Sequence, residues 1–545
     1  MTITGNIIDL HQRRIFHGRI TVENGHISQV EEIPGFSSQY LLPGFVDAHV
    51  HVESSMLVPS EFARMAVVHG TVATVSDPHE IANVLGEQGI RFMLENAGKV
   101  PFKFFFGAPS CVPATQFETA GATLDAAAVE RLLQDPRIRY LSEMMNYPGV
   151  LFENEEVMKK IASARQLGKP VDGHAPGLSG EAARRYFSAG ISTDHECFSY
   201  REGLEKAQLG VNILIREGSA AKNFDELITL LDFFPDQVMF CSDDKHPDDL
   251  LEGHIDQLVA RALARGCELF DVLRAACLHP VRHYGLPVGL LQEGDPADYI
   301  VTNDLVNFTI QQTWIDGKLV AENGSSLIQP VDCQLVNNFS TSEKQPKDFE
   351  IEAPADFQKP MIRVIRALDG QIVTESFLAP AKRNENFIIA DPERDILKFT
   401  VVNRYRNTAP AIAFIQNFNL KNGAIASSVG HDSHNILAVG TDDHLLCQAV
   451  NWLISHQGGI FAVSGAGEER VLPLPVAGLM TTEDGWTVAH QYKALDAFVK
   501  SELGCTLTAP FMTLSFMALL VIPELKLSDK GLFDGKRFEF VNLIV

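Results

Sequence analysis

Between residues 45 and 285 the chain alternates apolar strand candidates with amphipathic helical patterns. The strand candidates are 45–50 (FVDAHV), 71–76 (TVATVS), 102–107 (FKFFFG), 138–144 (IRYLSEM), 170–174 (PVDGH), 190–195 (GISTDH), 211–216 (VNILIR) and 238–243 (VMFCSD). Helical spacing follows at 59–69, 81–98, 125–133, 153–167, 179–189, 222–233 and 252–265. Such alternation is the signature of an α/β fold with a parallel sheet. An open doubly wound sheet shares this texture. Eight strands in roughly 240 residues favour a (β/α)8 TIM-like barrel over 45–285.

The flanks have a different texture. Residues 1–44 and 286–330 read as short strands joined by turn signals at Asn24-Gly25, Leu42-Pro43-Gly44, Asp316-Gly317 and Asn323-Gly324. The two stretches are expected to form one small split β-sandwich domain, interrupted in sequence by the barrel. Residues 331–360, containing STSEKQPKDFE, read as a polar linker, and an additional C-terminal α/β domain is placed within 345–545.

Composition narrows the partners. The 545 residues carry 45 Lys and Arg against 69 Asp and Glu, a net charge of −24. An acidic field repels polyanions, so neither nucleic acid nor an anionic membrane surface is expected as a partner. The longest apolar run, 509–523 (APFMTLSFMALLVIP), falls short of the ~20 residues of a membrane span and reads as a buried core segment. MTITGNIIDL lacks the pattern of a secretory signal. Eight scattered cysteines without any C-x-x-C read as reduced thiols of a cytoplasmic protein, and they exclude zinc ribbons. P-loop, dinucleotide-binding and G-x-S-x-G motifs are missing as well.

Polar residues gather at the strand ends, where barrels of this kind build their active sites. Strand one ends in His49-Val50-His51, and residues i and i+2 of a strand point the same way. Strand two runs into Asp77-Pro78-His79-Glu80. Strands four, five and six carry Glu143, His174 and His195. Strand seven ends in Arg216-Glu217 and strand eight in Asp243-Asp244. A single histidine at a strand end is usually a hydrogen-bonding residue. Four histidines with Glu143 and Asp243 on one rim point instead to a metal site. Six donors exceed the need of one ion and suit two ions sharing a carboxylate. Such a pair acidifies a bridging water and polarises the group it attacks. Glu143 is the natural bridge, and Asp243 the natural proton handler.

His49-x-His51 after Pro-Gly-Phe-Val-Asp-Ala resembles the amidohydrolase superfamily. LPGFVDAHVHVESSM, GTVATVSDPHEIANVLG, VDGHAPGLSG, STDHECFS, REGSAAKN and CSDDKHP resemble its adenine deaminase family, as does IASSVGHDSHNILAVGTDD near the C-terminus. The resemblance implies hydrolytic deamination of adenine to hypoxanthine and ammonia, in purine salvage. It implies a binuclear centre of two divalent ions, Mn2+ first, with Fe2+ and Zn2+ as alternatives accepted by the same donor types. It assigns His49, His51 and Asp243 to one ion, His174 and His195 to the other, and Glu143 to both. Asn417-Phe418-Asn419 departs from the family, where glycines are expected. A large α/β enzyme of this kind is expected as a homodimer.

For that reaction, electron density builds on a ring nitrogen as water adds at C6, and ammonia must leave protonated. Asp243 is the expected proton carrier. His79, Glu80, Arg216 and Glu217 are candidate substrate contacts; the alternative role for each is to orient histidine ligands. The polar run Gly430-His431-Asp432-Ser433-His434-Asn435, followed by Thr441-Asp442-Asp443-His444, reads either as a cap and turn network or as a lid or accessory site formed by His431, Asp432 and His434. Two other functions remain open at this stage. One is a hydrolase of another cyclic amide or amidine, and the other is a non-catalytic metal-binding protein.

Overall fold

The computed structural model describes residues 1–354 and 360–545. Of the linker expected at 331–360, residues 355–359 lie outside the described residues.

Five parallel strands, Phe45–Val50, Thr71–Ser76, Lys103–Ala108, Ile138–Met144 and Val171–Gly173, pair in chain order. Three more, Thr193–Asp194, Asn212–Arg216 and Val238–Cys241, form a second parallel sheet. Backbone bonds connect the two sheets at both ends. Ser192 N donates to Val171 O at 3.0 Å, Asp243 N to His49 O at 2.9 Å, and His51 N to Asp243 O at 3.2 Å. Every residue of the first two strands is buried, as expected for parallel strands covered on both faces.

Three strands stop short of their expected ends, leaving His174, His195 and Asp243 just past them, with Asp243 still bridged to Val50. Asp243 then takes a left-handed backbone conformation, with φ 55°. Non-glycine residues adopt this conformation at some cost, and sites of chemistry are where such cost is concentrated.

The flanks form one continuous eight-stranded sheet. Its order is Ser325–Ser326, Lys318–Glu322, Ile310–Ile315, Tyr299–Thr302, Tyr40–Pro43, Thr2–Asp9, Arg14–Glu23 and His26–Glu32. The sheet curls, so that Ile27 N donates to Asp295 O and Gly294 N to Ile27 O, at 2.8 Å each. Tyr40–Pro43 pairs parallel to Thr2–Asp9 on one side and antiparallel to Tyr299–Thr302 on the other. The two flanks are therefore joined edge to edge, with Ile7, Ile20, Val22, Ile27 and Tyr299 packed in a cluster of their own.

A second eight-stranded sheet lies within 361–473. The helix Asp443–His456 covers one face, burying Leu446, Val450 and Leu453 against Val402, Ile436 and Phe461. Asp442 caps that helix, accepting from His444 N and Leu445 N at 2.9 Å each. The 441–444 part of the polar run is thus a cap. Asn417 and Asn419 both have positive φ, 82° and 58°. Asparagine tolerates this region better than most residues, so the conformation that favours glycine is retained. The Asp395 carboxylate accepts from both backbone N–H groups, at 2.5 and 2.7 Å. Phe418 between them is fully buried, which stabilises this corner by about 2 kcal/mol.

Candidate active site

Glu143 is the centre of the site. Its Oε1 lies 3.4 Å from His51 Nε2, while its Oε2 lies 2.6 Å from His174 Nδ1 and 3.2 Å from His195 Nε2. His49 and His51 bring their Nε2 atoms to 3.2 Å of each other, and both face Asp243 Oδ1, at 3.6 and 3.3 Å. The structure therefore brings all six expected ligands together, with each Glu143 oxygen turned toward a different group.

Buried hubs hold these side chains in place. Asp47 accepts from Ser242 N at 3.0 Å, His49 N at 3.3 Å and His254 Nε2 at 2.8 Å, fixing the first and last strand ends together. The Tyr186 hydroxyl donates to Met144 O at 2.7 Å and accepts from His174 N at 3.0 Å, locking Glu143 and His174 in register. Lys206 donates to Ala175 O at 2.7 Å and Asp194 Oδ2 at 2.5 Å, beside His174 and His195.

The candidate substrate contacts separate into two groups. His79 Nδ1 lies 3.4 Å from Glu143 Oε1, and its Nε2 lies 3.4 Å from Glu80 Oε1. Glu80 is held by His431 Nδ1 on one oxygen and His434 Nε2 on the other. Asp432 Oδ1 is 3.8 Å from His79 Nε2. Arg216 forks onto both oxygens of Glu196 and donates to Asp243 Oδ2 at 2.6 Å. Glu217 lies elsewhere, outside the pocket lining. It pairs with Arg261 Nη1 at 2.6 Å, on the helix Ile255–Ala264. Successive strand residues face opposite sides, so an inward Arg216 turns Glu217 outward.

Burial is the largest influence on Glu143, Glu80 and His174. It raises the Glu143 carboxyl, yet the His174 and His195 imidazoles outweigh it and hold the group well below its usual range. Glu80 follows the same logic, with His431 and His434 outweighing burial. For His174, burial lowers the imidazole, but Glu196 and Glu143 lift it to about 9.

The donor set fits divalent ions. His49/His51/Asp243, His49/Glu143/His195 and His174/His195/Glu196 each bring their ligand atoms within 4.8 Å of one another. Among the described residues, His49 Nδ1, Asp77 Oδ2, His79 Nδ1 and Asp432 Oδ2 are buried without a hydrogen-bond partner. A mixed imidazole and carboxylate set suits Mn, Fe or Zn.

Two features of the pocket escaped the sequence. Glu196 and Asp244 line it beside His195 and Asp243. Each is the immediate neighbour of an expected ligand, and that adjacency was the available signal. The roof comes from the C-terminal part: Ile372, Phe516, Leu519, Val521 and Ile522 cover the charged floor. The run 509–523 is thus both core and pocket wall.

The parallel strands ending in histidine and carboxylate donors lie within residues 40–320, which match the model of the Amidohydrolase family. Residues 371–539 match the Adenine deaminase C-terminal domain. A protein named adenine deaminase from Salinibacter ruber is 55% identical over 545 residues, covering 100% of this chain and 99% of its own. Proteins of the same name from a Sulfurovum species and from Methanosarcina barkeri are each 54% identical, covering 99% of this chain and 99% of their own. The chain belongs to the amidohydrolase family and, within it, to the adenine deaminases. It is a hydrolytic enzyme.

Proposed function

We propose that this enzyme deaminates adenine to hypoxanthine and ammonia, with two divalent ions at the strand ends. The substrate follows from the name shared by its full-length relatives. The chemistry is carried by one observation: inside a roofed pocket, the two Glu143 oxygens face different donor groups. His49, His51 and Asp243 would hold one ion, His174 and His195 the other, and Glu143 both. When bound, the ions lower the pKa of a shared water and polarise the atom it attacks.

The protein groups supply the proton traffic and the orientation. Asp243 divides its carboxylate, Oδ1 toward the histidines and Oδ2 toward Arg216. It is placed to take a proton from the attacking water and deliver it to the departing amine. Arg216 fixes that carboxylate against rotation. His79 and Glu80 offer a donor and an acceptor for the edge of a purine, and the apolar roof supplies a flat face that excludes water.

The finer architecture belongs to the same reading. We take the eight parallel strands as a closed (β/α)8 barrel over 45–285, on the support of the bonds between His49, His51 and Asp243. The β domain from 1–44 and 286–330 and the C-terminal α/β domain of 345–545 complete it. Manganese as the working metal, with Fe2+ and Zn2+ accepted, and a place in purine salvage rest on the family resemblance. A homodimer rests on the frequency of twofold assemblies. A cytoplasmic setting accords with eight free cysteines. Among the described residues no helix is long and apolar enough to cross a membrane.

The test is to purify the protein with added manganese, measure metal per chain, and follow adenine absorbance together with ammonia release. Two ions per chain and one ammonia per adenine are expected. Two ions without ammonia would overturn the substrate and favour another cyclic amide or amidine. No bound metal would overturn the metal-dependent reading.

A further inference from the structure

Lys526, in the strand Leu525–Ser528, has no accessible surface. Its Nζ donates to Ile372 O at 2.7 Å and to Phe516 O at 2.9 Å. These carbonyls belong to two segments far apart in sequence, and both residues line the roof. The Phe516 ring in turn stacks on His431, with centroids 4.9 Å apart and planes at 15°. His431 holds Glu80. A chain of direct contacts thus runs from Lys526 through Phe516 to the pocket wall.

A lysine is an expensive choice for such a position. Burial alone pushes its ammonium down to about 7, and no partner charge opposes the shift. An apolar residue would fill the space without that desolvation cost. What lysine supplies is two donors from one point, directed at carbonyls of two separate segments; Phe516 O accepts from Leu519 N at 3.2 Å as well, so the bond from Lys526 adds a tie between the segments.

We infer that Lys526 is a positioning residue: it ties Ile372 and Phe516 together and so sets the height of the roof over a planar heteroaromatic substrate. The inference rests on the proposed adenine deamination for its kinetic readout, but not for its structural one. A roof that contacts the substrate face contributes to binding more than to proton transfer, so its loosening separates KM from kcat.

The experiment compares the manganese-loaded wild type with Lys526→Met, Phe516→Ala and the double variant. Lys526→Met should raise KM for adenine about tenfold, with kcat within about threefold and metal content unchanged. Phe516→Ala should raise KM similarly. The double variant should be weaker than either single variant, but by less than the product of their effects, because part of the Lys526 effect acts through the Phe516 ring and the rest through Ile372. Lys526→Gln, whose amide retains two donors, should fall between Lys526→Met and the wild type, and carries the test if Lys526→Met does not fold. Hydrogen exchange over 510–522 should accelerate in the Lys526 variants. Wild-type KM in Lys526→Met, or multiplying effects in the double variant, would overturn the inference. So would unchanged exchange over 510–522. A wild type that releases no ammonia from adenine would defeat the proposed reaction alone, and the exchange data would still decide the role of Lys526.

Discussion

Glu80 and His434, 354 positions apart in sequence, are hydrogen-bonded in the buried pocket wall. His431 holds the other carboxylate oxygen. The C-terminal part therefore closes on the catalytic floor through a specific polar clamp as well as through apolar packing. Removing His434 would leave one Glu80 oxygen buried and unpaired. His434→Ala should lower kcat/KM for adenine about 10- to 100-fold while two ions per chain remain. Steady-state kinetics beside metal analysis checks this. Full activity in the variant would remove the clamp from the functional account.

Glu143 offers a sharper test, because its two oxygens serve different donor groups. Glu143→Gln keeps the shape but replaces one oxygen by an amide that donates. Metal content should fall from two ions to one or fewer, and activity should fall by at least about 100-fold. Elemental analysis of the purified variant decides the first point. Normal occupancy with normal activity would refute the bridging role.

Much of this site was legible because it obeys strand geometry. The strands 45–50, 71–76 and 138–144 begin and end where apolar runs give way to turns. His49, His51 and Glu143 stand at the ends of 45–50 and 138–144, and His174, His195 and Asp243 just past Val171–Gly173, Thr193–Asp194 and Val238–Cys241, so all six expected ligands follow from the strand assignment. Strand parity pairs an inward Arg216 with an outward Glu217. The single sheet of the flanks was not legible, since nothing local tells Tyr40–Pro43 to pair on both edges. The roof was hidden for a similar reason. An apolar run such as 509–523 looks the same whether it packs on its own sheet or closes over a pocket formed more than 250 residues earlier. The glycine-like turn at Asn417 and Asn419 was legible only as a departure. Its positive φ values explain why asparagine can stand there.

Arg216 makes a geometric demand that charge alone does not meet. It forks onto Glu196 and reaches Asp243 with the same guanidinium. Lysine is a point charge and cannot serve both carboxylates in that plane. Arg216→Lys should keep the protein folded and its ions bound, yet lower kcat about 10- to 100-fold with a smaller change in KM, because Asp243 loses its fixed orientation. A variant that loses KM and keeps kcat would instead mark Arg216 as a substrate contact.

Glu118 links pH to stability. The residue is buried, and burial, with Asp432 and Asp529 nearby, pushes its carboxyl up from 4.5 to about 8. Thr115 Oγ1 donates to it at a long 3.5 Å. The folded state thus holds a proton that the unfolded chain releases near pH 4.5. By linkage, the stability this group contributes is full below about 4.5, falls as pH rises toward 8, and is level beyond. At about 1.4 kcal/mol per pH unit, the loss amounts to a few kcal/mol at most. Glu118→Gln imitates the protonated form at every pH. The variant should melt at the wild-type temperature near pH 4.5 and progressively above it between pH 5 and 8, with the gap constant at pH 9. Calorimetric melts across that range check the sign. A wild type that outlasts the variant at pH 9 would show that Glu118 is ionised in the folded protein and held there by a partner charge.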